Sequence, residues 1–247
     1  MSVALVACSH GTNDLGGRQA ISSILADVRA HRPDLAVHDT YVDVQQPQLA
    51  EVLAAVLART SAVVVPMLLS GGYHVKVDIA EAVTSASAAL GPVVAGAQPA
   101  VGAGRSAAVA APPLGPDPRI VAVLRERLAE AGVRDDDWVV LAAAGSSDPG
   151  AARDVAQVAA ALRSTRTGPV VCGYGSMARP SVREAVDQAR SAQTIPGRAV
   201  AVASYLLAPG FFYDRVLESG ADAVTAPLAP HPALARIVLD RYDAMQG

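Results

Sequence analysis

Aromatic side chains are scarce in this sequence. Phe, Trp and Tyr make up 4% of its 247 residues, and the formal net charge is −3 with no basic stripe. Nucleic-acid binding relies on stacking platforms and a cationic footprint, so nucleic acid is not expected as a partner. There are two cysteines, Cys8 and Cys172, and no CxxC. That excludes the usual zinc-ribbon and thiolate-cluster spacings and points to a reducing, cytoplasmic setting. The longest apolar run, 62–69, is eight residues long, whereas a membrane span needs about 20. The first ten residues have no basic n-region and read as a buried strand rather than a signal peptide. Lysine occurs once, as Lys76, against nineteen arginines.

Small apolar residues are plentiful. The set AVILMFWYC reaches 51% and charged residues only 17%, enough for a large core in one α/β domain or two of about 120 residues. Strand-length apolar runs alternate with helical patterns. Strands are expected over 3–9, 36–42, 62–69 and 92–96, and helices over 18–30, 47–59 (Pro47 in its first turn) and 75–90. The Ala/Gly/Pro-rich stretch 101–118 lacks periodicity and reads as a loop or broken helix, followed by a helix over 120–131. The rhythm then restarts, with strands over 138–144, 170–173, 199–207 and 223–226 and a last helix over 233–245. Such alternation predicts βαβ units on mostly parallel sheets.

The restart is an internal duplication. The run Ala7–Asp14 (ACSHGTND) resembles Leu141–Asp148 (LAAAGSSD) at an offset of 134, and Tyr41…Pro47-x-x-x-Glu51 matches Tyr174…Pro180-x-x-x-Glu184 at 133. Leu68–His74 (LLSGGYH) matches Leu206–Phe212 (LLAPGFF) at 138, and PLGPDP at 113–118 matches PLAPHP at 227–232 at 114. Four matches in the same order imply two similar α/β domains, 1–133 and 134–247, each a mostly parallel sheet flanked by helices.

In a parallel sheet, ligands bind outside the carboxyl ends of the strands. In the first half those ends carry Ser9-His10-Gly11, Tyr41-Val42-Asp43 and Ser70-Gly71-Gly72-Tyr73-His74. His10, Asp43 and His74 therefore lie on one edge, and two imidazoles with a carboxylate suit a borderline divalent metal. In the second half the aligned residues are Ala144, Ser176 and Phe212. The surrounding glycines and prolines largely persist while the ligating groups do not, which implies one active and one degenerate half. Ser9, Gly11, Ser70, Gly71, Gly72 and Tyr73 would line a bound substrate. Lys76 either holds a substrate carboxylate or is a solvated helix residue. Arg18, Arg105 and Arg215 are further cations of the same type. Cys8 reads as a core residue, His31 and His38 as solvated, and His231 as a helix cap.

The segments SHGTND (9–14), YVDVQQP (41–47), VPMLLSGGYHVKVDI (65–79) and the two proline motifs resemble the sirohydrochlorin chelatases, in their long two-domain form. The resemblance covers nearly the whole chain. It implies insertion of Fe²⁺ or Co²⁺ into sirohydrochlorin, in sirohaem or cobalamin formation, with His10 and His74 holding the metal and one of them accepting pyrrole protons. Asp43 stands where the family has an acidic residue, here one methylene shorter than the expected Glu. The metal is then a substrate, and no tightly bound cofactor is expected. Two pseudo-equivalent halves already form the cleft, so the chain reads as a monomer. A metal or tetrapyrrole carrier on the same site, a chelatase for another macrocycle, and a histidine-phosphatase-type phosphoryl-transfer enzyme are the competing readings. The last lacks the Arg expected before the histidine, where Ser9 stands.

Overall fold

The computed structural model describes residues 3–72, 75–88 and 106–246. In the first half, β1 (Ala4–Ser9), β2 (Val37–Tyr41), β3 (Ala62–Pro66) and β4 (Ala108–Ala110) form a parallel sheet in the order β2-β1-β3-β4. The helices are α1 (Leu15–His31), α2 (Leu49–Leu57), α3 (Ala80–Ala88) and α4 (Pro118–Glu130), with a π-helical turn, Val75–Ile79, leading into α3. The second half repeats the plan. Its strands β5 (Trp138–Ala143), β6 (Val170–Tyr174), β7 (Val200–Tyr205) and β8 (Ala223–Val224) are parallel and ordered β6-β5-β7-β8. They alternate with α5 (Pro149–Arg163), α6 (Val182–Ala192), α7 (Phe211–Leu217) and α8 (Pro232–Asp243). The expected architecture, two similar α/β units, is the observed one.

Local chemistry explains the helix starts. Asp14 and Asp148 cap α1 and α5 through their carboxylates, each accepting a backbone N–H at 2.6 Å, and Ser181 with Glu184 forms a capping box on α6. Asp117 and His231, aligned in the two proline motifs, cap α4 and α8. The strands β1 and β7 are buried at every residue, as parallel strands covered on both faces are.

The helices that cover them are partly exchanged. α8 packs on β3 and α1 of the first half, while α4 packs on β7 and α5 of the second. A single buried cluster therefore runs through both halves, joining Leu5, Ile24 and Val63 to Leu141, Val158 and Leu234. The outer faces form separate cores, one around Val64 and Leu53 and one around Val140 and Val186.

Three local expectations are corrected. Pro47 is not in the first turn of α2: the Pro47 carbonyl still accepts from Tyr41 N–H in an extended segment, and the helix begins two residues later, at Leu49. The third strand stops at Pro66 rather than residue 69, because the Leu68 carbonyl turns away to accept from Leu114 N–H. The stretch 101–118 contains β4, whose alanines pair with β3 from Ala62↔Ala108 onward. Its composition gave no period because alanine marks neither face. The strand expected over 92–96 lies outside the described residues.

Candidate active site at the facing sheet edges

β1 and β2 deliver two of the expected groups side by side. The Ser9 carbonyl accepts from Val42 N–H at 3.0 Å, and the His10 carbonyl accepts from Asp43 N–H at 3.1 Å. Ser9 itself is buried, His10 is half-buried and Asp43 is exposed. Gly11 has φ +95°, and a Cβ there would stand 2.5 Å from the Asp43 carbonyl oxygen. Only glycine lets the two strand ends approach this closely. Gln45 locks the arrangement, its side-chain oxygen accepting from Thr12 N–H at 2.8 Å. The Asp43 carboxylate accepts from Val44 N–H at 2.8 Å. Val44, with φ +53°, is a β-branched residue in left-handed space, a strained backbone of the kind that concentrates at functional edges.

The twin edge has the same backbone and different chemistry. Gly145 has φ +91° and Met177 has φ +56°. The residues aligned with His10 and His74, Ala144 and Phe212, both pack against the apolar core around Val140. The Phe212 ring lies 2.8 Å from where a Cβ on Gly175 would stand. Apolar side chains thus stand at the second edge where the first carries His10. Tyr73 and His74 lie outside the described residues, as does Arg105. Among the described residues no group of three or more His, Cys, Asp or Glu is gathered to hold a metal. Burial pushes the neighbouring Cys8 thiol up to about 12, so Cys8 is a neutral core group and not a thiolate ligand.

The third strand-end loop meets the other half. Ser70, Gly71 and Gly72 are half-buried. Gly71 N–H donates to the Asp154 carboxylate of α5 at 2.9 Å, and a Cβ on Gly72 would stand 3.2 Å from the Ser146 hydroxyl. The Tyr205 hydroxyl, at the end of β7, donates to the Leu69 carbonyl at 2.7 Å. Burial, and then the charge of Asp154, push the Tyr205 phenol up, so it stays a donor. In return Pro209 and Gly210 lie against Gly17, Thr12 and Asp14. The carboxyl edges of both sheets therefore face one shared interface. Lys76 lies in the π-helical turn that follows the first of these loops.

Exposed apolar side chains sit at these same edges. Leu15 is 72% exposed, Met177 75% and Phe211 63%. Arg215 sits 4.7 Å over the Phe211 ring, and Arg18 donates to the Thr12 carbonyl at 2.8 Å. His231 is a cap, as expected, accepting from Ala233 N–H. Sequence reading missed Gln45, Tyr205 and Asp154. Gln45 was within reach, since it lies in the YVDVQQP segment. The other two act on the opposite half and carry no local signal.

The geometry is that of a duplicated parallel α/β protein whose ligand edges face each other across the junction of the halves. A profile of the CbiX family matches residues 4–131 and again 138–245. The chain belongs to that family. It is 26% identical over 224 residues to a sirohydrochlorin ferrochelatase of Priestia megaterium, a match covering 88% of this chain and 77% of that protein. It is 28% identical over 166 residues to a sirohydrochlorin ferrochelatase of Bacillus subtilis, covering 66% of this chain and 59% of that one. The solved structure of SirB from Bacillus subtilis with Fe³⁺ superposes with a TM-score of 0.82 at 21% identity, over all of this chain and 96% of that one.

Proposed function

We propose that this protein is a sirohydrochlorin chelatase that inserts a divalent metal, Fe²⁺ or Co²⁺, into the tetrapyrrole. The observation that carries this is the one-sided chemistry of a two-sided scaffold. His10 and Asp43 leave adjacent strands at one sheet edge, and the corresponding edge, with the same strand order and the same positive-φ positions, carries Ala144 and Ser176. On this reading 1–133 is the catalytic half and 134–247 the degenerate half, with one chain sufficient for a complete site. The family relationship and the names of the relatives support it.

The metal is a substrate and must leave. Two neutral imidazoles and a carboxylate hold it less tightly than a closed thiolate set. His10 and His74 are the residues assigned to hold it, and Asp43 joins or orients them. As metal enters the ring, two pyrrole N–H groups lose protons, and an imidazole relieved of metal is a base of matched strength to take one. The macrocycle brings a flat apolar face and a rim of carboxylates. Leu15, Val44, Met177 and Phe211 offer apolar surface, and Arg18, Arg215 and Lys76 offer cations. Ser9, Gly11, Ser70, Gly71, Gly72 and Tyr73 supply backbone and small side chains against which the ring can approach closely. The reaction needs no further cofactor. None of the described helices is long and apolar enough to cross a membrane, and the cysteine usage fits a cytoplasmic enzyme.

The test is multiple turnover. Under anaerobic conditions, catalytic amounts of protein should convert an excess of sirohydrochlorin to its metal complex, read by absorbance, with Fe²⁺ or Co²⁺ faster than without protein. Stoichiometric binding of ring or metal with no acceleration would make the protein a carrier.

A further inference from the structure

The loop 68–72 belongs to the first half, yet two of its polar contacts come from the second. Tyr205 is 2% exposed and donates to the Leu69 carbonyl at 2.7 Å. Asp154 accepts from Gly71 N–H at 2.9 Å. Among the described residues, no side chain of the first half makes the equivalent bonds to the loop 206–210. By the offsets of the duplication, Tyr205 aligns with Met67 and Asp154 with Ala20, and neither side chain can make such a bond. A brace serving only to join two halves would be useful in both directions. This one runs only toward the loop that leads into His74.

We propose that Tyr205 and Asp154 are positioning residues supplied by the second half, which hold the loop 68–72 that precedes His74 in the chain and so order the half assigned to bind the metal. The second half then does more than cover the substrate: it has lost its own ligands and keeps the groups that order its partner's loop. Tyr205 fixes a carbonyl two residues before the amide that Asp154 fixes, so the loop is pinned at both ends of Leu69–Gly71. A half-buried carbonyl deprived of its hydroxyl donor shifts to find another, and a metal site loosened by a fraction of an ångström loses affinity.

The inference rests on His10 and His74 as the metal-holding groups, and the experiment separates the two. Tyr205→Phe, Asp154→Ala and the double variant are compared with wild type, with His10→Ala and with Asp154→Asn, which retains an acceptor oxygen. Cobalt binding is read by its visible absorption, KM is measured separately for metal and for sirohydrochlorin, and thermal unfolding is followed. Each single variant should weaken cobalt binding roughly tenfold, the scale of one lost hydrogen bond of ordinary net strength. KM for the metal should rise while KM for the tetrapyrrole holds, and Asp154→Asn should restore most of the loss. Arg32→Ala, which breaks the distant ion pair between Arg32 and Asp243, should leave cobalt binding unchanged. Unaltered cobalt affinity in the double variant, with only a lower unfolding temperature, would overturn the proposal. Wild type that binds no cobalt, or His10→Ala that binds it equally, would instead overturn the reading on which it rests.

Discussion

Arg127 and Arg241 bind each other's half of the molecule. Arg127, on α4, donates to the carbonyls of Pro227, Leu228 and Pro230, while Arg241, on α8, donates to those of Pro113, Leu114 and Pro116. The two arginines are separated by the same 114 residues as the proline motifs they hold. Around them Arg119 pairs with Asp240, and His231 with Glu126. The duplication is thus closed by reciprocal contacts, each satisfying carbonyls that the motif's prolines leave without strand partners.

Replacing Arg241 by alanine should therefore cost about 2–3 kcal/mol of stability, since several half-buried carbonyls lose a charged donor together. Arg241→Lys should recover little, because an ammonium does not present the planar fork that reaches them all. Urea denaturation of both variants checks this, and recovery by lysine would mean that charge alone matters.

The approach of β1 to β2 makes a graded prediction at glycine. Gly132 also has a positive φ but nothing within 4 Å of its missing side chain, so Gly132→Ala should cost about 1 kcal/mol, the backbone term alone. Gly11→Ala adds a clash with the Asp43 carbonyl and should cost at least twice that. It should also reduce metal insertion, because the clash moves Asp43 relative to His10. Equal stability losses in the two variants would refute the close-approach argument.

Acid should destabilise the protein through two identified carboxylates. Burial alone would raise Asp117, but hydrogen bonds from Arg119, with the charges of Arg119 and Arg241, outweigh it and hold the carboxyl low. Asp137 is likewise held low against burial, by the N–H groups of Ala199 and Arg134 and the Arg134 side chain. Both bind a proton more readily unfolded than folded. Their contribution is complete above about pH 5 and is lost as pH falls through about 4 and below. Asp117→Asn should be less stable than wild type at pH 7, with the gap narrowing toward pH 3, as measured by denaturation at each pH. A gap that stays constant would remove Asp117 from the acid response.

Substrate binding should divide between the halves. Phe211 is exposed with Arg215 over its ring, and together they suit the apolar face and carboxylate rim of the tetrapyrrole. Phe211→Ala and Arg215→Ala should each raise KM for sirohydrochlorin about five- to tenfold, a loss of about 1 kcal/mol each, while leaving metal binding intact. An unchanged KM in both would place the ring elsewhere on the edge.

Much of this was legible in the chain. The duplication, the parallel order and the placing of His10 and Asp43 at one edge follow from motifs that repeat at nearly constant spacing. The exchange of α4 and α8 was not legible. Their apolar stripes, such as Ile120, Val123 and Leu124, fit either sheet, and nothing local says which. For the same reason nothing local in the sequence singles out Tyr205 or Asp154. Their partners are Leu69 and Gly71, and the pairing exists only once the halves have met. β4 was hidden because alanine carries no facing information.

On the proposed reading the first half carries the metal ligands, and the second half contributes none of them while bracing the loop 68–72 and offering Phe211 and Arg215 to the ring. The most direct measurement is the anaerobic rate of Fe²⁺ and Co²⁺ insertion into sirohydrochlorin for wild type, His10→Ala, His74→Ala and the double variant, with unfolding temperatures beside them. Wild type should accelerate insertion and each histidine variant should lose that acceleration, with folding unimpaired, if His10 and His74 hold the metal. Full insertion by the double variant would contradict it.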